Sequence, residues 1–311
     1  MQREIVKIGT RKSKLALWQA NHVADLLDEG GLQPELVPIE TKGDKIQNVA
    51  LSKIGSKGVF TEELEMMLRR GQIDIAVHSA KDMQSTLPAG FELIAFMERE
   101  RCNDVIVSRN AELRLASDTP FRLGTSSTRR VATLKSLYPH IETVPVRGNL
   151  QTRIRKMDEG NCDALLLAYA GVHRMGYEAM IAEHLKLDEF TPAVGQGSVA
   201  IEVNENLDST RKNAVRAALN HTETESCLLA ERAFLKTMDG GCSIPVFGLA
   251  TLEGDALHLT GGIISLDGNQ TIRKNQSGTI ADGPLLGHRL AEEVLQSGGA
   301  AILESIKSQP K

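Results

Sequence analysis

The stretch Asp74-Ile-Ala-Val-His-Ser-Ala-Lys-Asp82 decides the fold, because in it an apolar strand passes directly into a cluster of polar side chains. The segment Ile75-Ala-Val77 predicts a short, largely buried strand. Open α/β sheets bind ligands at the carboxyl ends of such strands. Lys81 and Asp82, just beyond this end, would present an anion site and a carboxylate to the same small volume. A solvated turn with one weak ion pair is the alternative that this stretch alone leaves open.

The overall composition is that of a globular protein with two or three domains. The chain has 311 residues, of which 41% are hydrophobic and 24% charged. A net charge of −4 and only 4% aromatic residues argue against a nucleic-acid-binding surface, so any positive site must be local. The amino terminus lacks an apolar signal core, and no apolar run approaches the roughly 20 residues that cross a bilayer. We therefore expect a cytoplasmic protein without nucleic-acid or membrane partners.

The amino-terminal segment also leads from a strand into a polar loop. Ile5 to Gly9 predicts the strand, and Ser13 is the expected N-cap of the helix that follows. The apolar face of this helix should contain Leu15, Trp18, His22 or Val23, and Leu26. Cations and hydroxyls in the loop Thr10-Arg-Lys-Ser13 would adjoin the unpaired N–H groups of the helix, which attract carboxylates or phosphates. A solvated loop is the alternative.

A basic, glycine-bearing segment follows the second predicted strand. Lys53-Ile-Gly-Ser-Lys-Gly-Val-Phe60 lacks the spacing of a phosphate-binding P-loop. We interpret it as a candidate mobile lid with Lys53, Lys57 and Phe60 as its functional residues. A helix from about Thr61 should lead back to the strand of the opening stretch.

A second unit repeats the pattern of the first. Ile8-Gly-Thr-Arg-Lys-Ser13 is matched by Leu123-Gly-Thr-Ser-Ser-Thr-Arg129, and Gly71-Gln-Ile-Asp-Ile75 by Gly160-Asn-Cys-Asp-Ala164. We infer two similar lobes whose strand-end loops face each other across a cleft. This cleft would be lined by Arg11, Ser13, Lys81, Asp82, Ser127, Arg129, Arg130, Arg147, Arg153 and Arg174. Arginine-lined clefts bind polyanions.

The segment from Phe190 to Ile201 predicts a hinge that returns the chain to the first lobe. Its residues Gly195 to Ala200 also match GxGxxA, so a dinucleotide site is an alternative. Pro192 interrupts the strand that should precede such a motif, and the residues after the glycines continue as a strand instead of opening a helix. We therefore favour a tight glycine turn.

The carboxy-terminal part predicts a small α+β domain. Helical patterns run from Arg211 to Thr237, and a loop, three strands and two closing helices follow. The four cysteines show no metal-ligand spacing, so we expect no metal site. Cys242 alone lies in a glycine-flanked loop, where an attached group can approach the backbone closely.

Motifs along the whole chain resemble those of the porphobilinogen deaminases, also called hydroxymethylbilane synthases. In chain order they are Gly9-Thr-Arg-Lys-Ser-Lys-Leu-Ala-Leu-Trp-Gln19, Thr41-Lys-Gly-Asp44, Lys57-Gly-Val-Phe60, Val77-His-Ser-Ala-Lys-Asp82, Gly124-Thr-Ser-Ser-Thr-Arg-Arg130, Arg147-Gly-Asn149, Pro192-Ala-Val-Gly-Gln-Gly197, Ala230-Glu-Arg232 and Gly240-Gly-Cys242. The resemblance implies a transferase of haem biosynthesis that polymerises four porphobilinogen units head to tail, releasing ammonia, into hydroxymethylbilane. It also implies a monomer with a dipyrromethane cofactor attached through a thioether to Cys242.

The same resemblance implies three domains, the first interrupted by the second. We expect domain 1 at residues 1–99 and 193–217, domain 2 at 100–192, and domain 3 at 218–311. Domains 1 and 2 would be two similar, doubly wound α/β lobes resembling type II periplasmic binding proteins. Domain 3 would be a smaller α+β unit with a three-stranded sheet and the cofactor attachment residue.

Roles for individual residues also follow from the resemblance. The catalytic residues would be Asp82 and Lys81, with Asp82 stabilising the cation that loss of ammonia leaves on the substrate. Residues expected to hold the cofactor are Cys242, Asp82, Lys81, Ser127, Arg129, Arg130, Thr125 and Asp44. Residues expected to bind substrate are Arg11, Ser13, Gln19, Arg147, Arg153, Arg174 and Gln196.

One position departs from the family pattern, and one alternative function stays open. The family usually reads Glu-Asp-x-Arg-Asp where this chain has Glu100-Arg-Cys-Asn-Asp104, so Asn103 removes one expected carboxylate or interdomain contact. The alternative is a two-lobed anion-binding module of the solute-receptor type, without catalysis. Asp82 argues against that alternative, because a carboxylate would repel an anion that is merely bound.

Overall fold

The computed structural model describes residues 3–41, 61–117, 119–241 and 244–308. The elements of the first part are β1 (Ile5–Arg11), α1 (Lys14–Glu29), β2 (Gln33–Ile39), α2 (Glu62–Arg69), β3 (Ile75–Ser79) and β4 (Phe91–Phe96). Those of the middle part are β5 (Asp104–Ser108), β6 (Arg122–Gly124), α3 (Thr128–Leu137), β7 (Glu142–Val144), α4 (Leu150–Asp158), β8 (Ala164–Ala168), α5 (Tyr169–Arg174) and β9 (Ile181–His184). The remaining elements are β10 (Val199–Asn204), α6 (Ser209–Leu219), α7 (Thr222–Thr237), β11 (Val246–Glu253), β12 (Ala256–Ile264), β13 (Thr271–Thr279), α8 (Gly283–Val294) and α9 (Ala300–Lys307). None of these helices is long and apolar enough to cross a membrane.

Two sheets of the same plan form the two predicted lobes. Over the described residues each has five strands, in the orders β2-β1-β3-β10-β4 and β7-β6-β8-β5-β9. The first three strands of each order are parallel, and the fourth is antiparallel to both of its neighbours. The chain crosses between the lobes twice, through residues 97–103 and 185–198. The expected pair of similar α/β lobes is therefore confirmed.

Matching aspartates give the two lobes the same internal turn. The Asp74 carboxylate accepts a hydrogen bond from the Lys7 N–H at 2.8 Å, and the Asp74 N–H donates to the Lys7 carbonyl at 2.9 Å. In the second lobe Asp163 makes the same two contacts with Arg122, at 2.7 and 2.9 Å. Each aspartate thus fastens the turn before an inner strand to the first parallel strand of its lobe. The matching sequence motifs before β3 and β8 therefore correspond to the same hydrogen-bonded turn in both lobes.

The third unit packs one layer of helices on an antiparallel sheet. Its strands β11, β12 and β13 are adjacent in that order, and its core packs Phe234 of α7 and Leu290 of α8 against the inner face of the sheet. Cys227 is buried in the same core, as its helical spacing predicts. The small α+β domain is confirmed.

A fully buried glutamate ties this third unit to the crossing segments. Glu231 of α7 accepts hydrogen bonds from the Arg99 guanidinium at 2.5 Å and from the Gly195 N–H at 2.8 Å. It also accepts one from the Ala250 N–H of β11 at 2.8 Å. Arg99 and Gly195 belong to the two different crossings, so one carboxylate joins both to the carboxy-terminal unit.

The apolar face predicted for α1 is correct at Val23 and Leu26, which pack in or against the core, but wrong at Leu15 and Trp18. Ser13 caps the helix as expected, but the positions that point into the core are Ala16, Ala20, Val23 and Leu27. Trp18 is 37% exposed. The reason is that α1 packs one side on its own sheet and turns the neighbouring side, with Leu15 and Trp18, toward α5 of the second lobe.

The glycine-rich crossing segment is a tight turn, as predicted, and not a dinucleotide site. Gly195 and Gly197 have φ of +77° and +97°, and β10 follows them directly. A Cβ on Gly195 would lie 2.8 Å from the Ala80 carbonyl carbon and 2.9 Å from the Lys81 nitrogen. Glycine is needed here both for the left-handed backbone and for the close approach to the residues after β3.

Replacing Gly195 with alanine should destabilise the protein more than the same change at Gly160. Both residues have left-handed φ, +77° and +81°, but nothing lies within 4 Å of a Cβ on Gly160. Gly160→Ala should therefore show only the backbone cost, about 1 kcal/mol. Gly195→Ala should cost about 2 to 5 kcal/mol, because overpacking against Ala80 and Lys81 adds to it. Urea unfolding measures both, and equal losses would contradict the close contact.

Candidate active-site cleft

The first lobe contributes a pocket at the carboxyl ends of β1 and β3. It is lined by Arg11, Ser13, Leu15, Ala16, Gln19, Thr61, Val77, His78, Ser79 and Asp82. Gln19 is buried in α1 and donates to the Ser79 hydroxyl at 3.0 Å, which fixes the helix to the end of β3. The structure thus brings together four of the residues predicted from the sequence, Arg11, Ser13, Gln19 and Asp82.

A single helical turn carries Lys81 and Asp82, of which Asp82 lines this pocket. The turn spans Ala80–Asp82, with Ala80 buried and its N–H donating to the Ser198 carbonyl at 3.0 Å. Asp82 is exposed, whereas Lys81 is partly buried. The turn therefore aims a carboxylate into the open cleft and holds an ammonium group beside it.

The second lobe is organised around a buried carboxylate, Asp104. Arg130 binds it in a bidentate manner, with Nη2 at 2.7 Å from Oδ1 and Nε at 3.2 Å from Oδ2. Arg129 donates to Oδ2 at 2.8 Å, and Gln196 donates to Oδ1 at 2.8 Å. Burial alone would raise the pKa of Asp104, but the two guanidinium groups outweigh burial and hold its pKa well below the ordinary value. Asp104 is therefore ionised at neutral pH.

The two arginines also anchor the surrounding backbone. Arg129 donates to the Thr191 carbonyl and Arg130 to the Leu166 carbonyl, each at 2.9 Å. Within the described part of the chain, Nε of Arg129 is buried without a hydrogen-bond partner. Arg129 and Arg130, predicted as cofactor contacts, are thus held largely by the protein itself. The Nε–H group of Arg129 has no hydrogen-bond partner among the described residues.

Charges from both lobes act on one another across the cleft. Burial, followed by the nearby Arg130, lowers the pKa of Lys81 to about 8, while Asp82 and Asp104 oppose that shift. Burial, followed by Arg130 and Arg147, lowers the pKa of Arg153 to about 10, with Asp82 opposing. Lys81 and Asp82 belong to the first lobe and the arginines to the second. Lys81 and Asp82 of the first lobe are thus close enough to Arg130 and Arg153 of the second, respectively, for their charges to interact.

Cations outnumber carboxylates in this cluster. Of the described residues that these interactions connect, five are cationic and two are carboxylates: Lys81, Arg129, Arg130, Arg147 and Arg153, against Asp82 and Asp104. A buried excess of positive charge is costly without counterions. The cleft is therefore suited to a ligand that carries several carboxylates.

The remaining predicted residues take up positions around the cluster. Ser127 caps α3, and its N–H donates to the Thr125 hydroxyl at 3.3 Å. Arg153 donates to the Gly148 carbonyl at 2.8 Å. Arg174 donates to the Gly197 carbonyl at 2.7 Å.

Five predicted residues lie outside the described residues. They are Asp44, Lys53, Lys57, Phe60 and Cys242. The segment that leads to Cys242 begins at the end of α7, where Asp239 has a φ of +46° and pairs with Lys307.

Sequence reasoning placed Asp104 on a strand but missed its function. The available signal was an aspartate that opens an otherwise apolar strand, Asp104-Val-Ile-Val-Ser108. The neighbouring departure, Asn103, donates to the Asp104 carbonyl at 3.2 Å and lies 3.4 Å from His184. Arg101, two residues before Asn103, is exposed, and its guanidinium carbon lies 5.5 Å from the centre of the Tyr169 ring.

The fold and the cleft together define a two-lobed α/β protein with a cationic cleft and a carboxy-terminal unit tied to the segments that connect the lobes. Comparison with known families specifies it further. Residues 6–212 match the model for "Porphobilinogen deaminase, dipyromethane cofactor binding domain", and residues 225–296 match the model for the C-terminal domain of porphobilinogen deaminase. The chain belongs to the porphobilinogen deaminase family.

Curated relatives support the same assignment. A porphobilinogen deaminase of Desulfosudis oleivorans is 53% identical over 305 residues, covering 98% of each chain. One of Cytophaga hutchinsonii is 55% identical over 302 residues, covering 97% of each chain. The family identified from the sequence motifs is confirmed, and with it the transferase class and the dipyrromethane cofactor. This outcome favours the enzyme over the solute-receptor alternative.

Two solved structures illustrate a limited similarity in fold alone. The methionine-binding protein MetQ is 13% identical with a TM-score of 0.43, over 69% of this chain and 89% of that one. The VFT2 domain of Bordetella pertussis BvgS is 16% identical with a TM-score of 0.41, over 70% of this chain and 85% of that one.

Replacing Asp104 with asparagine should cost about 3 to 5 kcal/mol of stability, because two buried guanidinium groups lose their counterion. Asp158→Asn is a matched control, since Asp158 also pairs with an arginine at 2.9 Å but the two side chains are 41% and 65% exposed. The control should lose less than about 1 kcal/mol. Urea unfolding at pH 7 compares them. A small loss for Asp104→Asn would contradict its role as the central counterion.

Proposed function

We propose that this protein joins four porphobilinogen units head to tail, releasing ammonia, to form hydroxymethylbilane on a dipyrromethane primer attached to Cys242. The observation that carries this proposal is the excess of cations around the exposed carboxylate of Asp82. Each pyrrole of the growing chain bears an acetate and a propionate group, so the product becomes more anionic with every addition. A cationic cleft compensates that charge.

The residues around Asp104 fit the dipyrromethane cofactor. Burial and the nearby Arg130 lower the pKa of Lys81 to about 8, and the buried Nε of Arg129 has no partner among the described residues. Added carboxylates would stabilise the ammonium group and satisfy the N–H group. We propose that the cofactor's acid groups are held by Lys81, Thr125, Ser127, Arg129 and Arg130, with Asp44 and Asp82 as further contacts. The bound dipyrromethane supplies the terminal pyrrole ring to which the first unit is added.

Substrate carboxylates would bind to the residues at the rim of this cluster. We propose Arg11, Ser13, Gln19, Arg147, Arg153, Arg174 and Gln196 for this role. A charge-assisted hydrogen bond between a guanidinium group and a carboxylate contributes about 1.5 to 3 kcal/mol when shielded from water. The Gln196 amide N–H groups already bind Cys102 and Asp104, so Gln196 would act mainly by holding Asp104 in place.

Asp82 is the proposed catalytic carboxylate, with Lys81 beside it. Loss of ammonia leaves a positive charge on the porphobilinogen methylene and ring. A carboxylate about 4 Å away, at an effective dielectric constant near 20, stabilises such a charge by about 4 kcal/mol, or about a thousandfold in rate. The Asp82 oxygens can also accept hydrogen bonds from pyrrole N–H groups, which orients the ring for attack.

Further expectations belong to the same proposal. We propose the division into domains at 1–99 with 193–217, 100–192 and 218–311, which is supported by the assignment of β10 to the first sheet and β5 to the second. We also propose that the protein is a monomer, because one chain supplies both faces of the cleft. We further propose that it works in the cytoplasm. Size-exclusion chromatography with light scattering tests the monomer.

Attachment of the cofactor predicts a specific change in mass. Wild-type protein should exceed its polypeptide mass by two porphobilinogen units less two molecules of ammonia. Cys242→Ala should have the bare polypeptide mass and no activity, while Cys102→Ala, a partly exposed control, should keep the added mass. Intact-mass spectrometry measures this. Active wild-type protein at the bare mass would refute attachment.

Removing the negative charge of Asp82 should lower kcat by about a thousandfold or more in Asp82→Asn, because the cation formed on the substrate loses about 4 kcal/mol of stabilisation. Asp82→Glu keeps the charge and should lose less, and the exposed Asp25→Asn on α1 should retain wild-type kcat. Steady-state rates are compared after mass spectrometry confirms equal cofactor content. A loss of only a few-fold in Asp82→Asn would show that the charge is not responsible.

A further inference from the structure

The sole tryptophan of the chain lies between the two lobes and not in a core. Trp18 belongs to α1 of the first lobe and is 37% exposed. Its ring lies 5.3 Å from the guanidinium carbon of Arg174, which ends α5 of the second lobe. The contact is therefore a cation–π pair that spans the cleft.

Arg174 is held at the same time by the second crossing segment. Its Nη2 donates to the Gly197 carbonyl at 2.7 Å, and the side chain is partly buried. The helix that carries it is close to α1, because a Cβ on Gly171 would lie 3.8 Å from the Leu15 side chain. A ring on one lobe and a carbonyl on the crossing segment thus restrain the guanidinium from two directions.

The geometry of a guanidinium group allows these contacts and a ligand together. Its flat face stacks on an aromatic ring, while its five N–H donors point outward in the plane. Gly197 receives one of these donors in the part of the chain that the structure describes. Stacking on Trp18 therefore does not compete with a carboxylate, and it fixes the plane in which the remaining N–H groups point.

We propose that Trp18 is a positioning residue for the reaction, which holds Arg174 in the orientation that binds a substrate carboxylate. Because ring and guanidinium belong to different lobes, this orientation exists only when the lobes are together. The proposal rests on the proposed function and adds to it a residue that does not itself touch the reacting atoms.

Substituting Trp18 should weaken substrate binding without slowing the chemical step. A cation–π pair at a partly exposed site is worth a factor of roughly 3 to 10 in an equilibrium. In the cofactor-loaded enzyme, Trp18→Leu should raise KM for porphobilinogen about 3- to 10-fold with kcat within about twofold of wild type. Trp18→Phe, which retains a ring, should recover part of that loss. A fall in kcat at constant KM, or an unchanged KM, would overturn the proposal.

The matched control removes an arginine–aromatic pair elsewhere in the same lobe. Arg69 lies 5.2 Å from the centre of the Phe91 ring, and Phe91 pairs with Asn204 at the end of the sheet opposite Ser79. Arg69→Gln should leave KM unchanged. An increase in KM equal to that of Trp18→Leu would show a general loss of stability instead of a positioning effect.

Fluorescence tests the contact independently of activity. Because Trp18 is the only tryptophan, its emission reports the neighbouring charge directly. Arg174→Gln should shift or intensify the emission of the protein without substrate, whereas Arg69→Gln should not. An unchanged spectrum in Arg174→Gln would overturn the contact. Failure of the wild-type protein to consume porphobilinogen would instead overturn the proposed function, so the two failures are distinguishable.

Discussion

The structure depends on one buried carboxylate that compensates two buried guanidinium groups. Transferring an ion from water to a protein interior costs several kcal/mol, so Arg129 and Arg130 need Asp104 to be accommodated at all. One carboxylate cannot neutralise two arginines, and Lys81 and Arg153 add to the imbalance. Among the described residues of the cleft, the cations therefore exceed the carboxylates. A polyanionic cofactor and substrate are what such a site binds most strongly.

The carboxy-terminal unit is attached to the connections between the lobes through Glu231. Its carboxylate binds Arg99 from the first crossing and Gly195 from the second, and the Ala250 N–H from its own sheet. A fully buried charge with hydrogen bonds to all three is a strong and directional link. The helix that carries Glu231 also leads to the loop of Cys242. The proposed attachment point is thus joined by one helix to the segments about which the lobes connect.

Local patterns predicted much of this from the sequence, and long-range contacts account for what they missed. Ser13 as a helix cap and the matching turns at Asp74 and Asp163 depend on neighbours in sequence or on a repeated motif, so they were recognisable. Trp18 lies outside the core because it faces α5, which is distant in sequence. The periodicity of α1 alone wrongly predicts it to be in the core. The role of Asp104 likewise arises only when α3 and the second crossing meet β5.

The three residues 195–197 connect three parts of the proposed site within the described residues. Gly195 touches the backbone of Ala80 and Lys81, Gln196 binds Asp104, and the Gly197 carbonyl accepts a hydrogen bond from Arg174. These contacts reach the turn that carries Lys81 and Asp82, the buried counterion Asp104 and the inter-lobe Arg174, respectively. A shift of this segment by a fraction of an ångström would alter all three together, because the segment is closely packed against each of them. The glycines at 195 and 197 therefore keep the positions of the cleft residues in the two lobes interdependent.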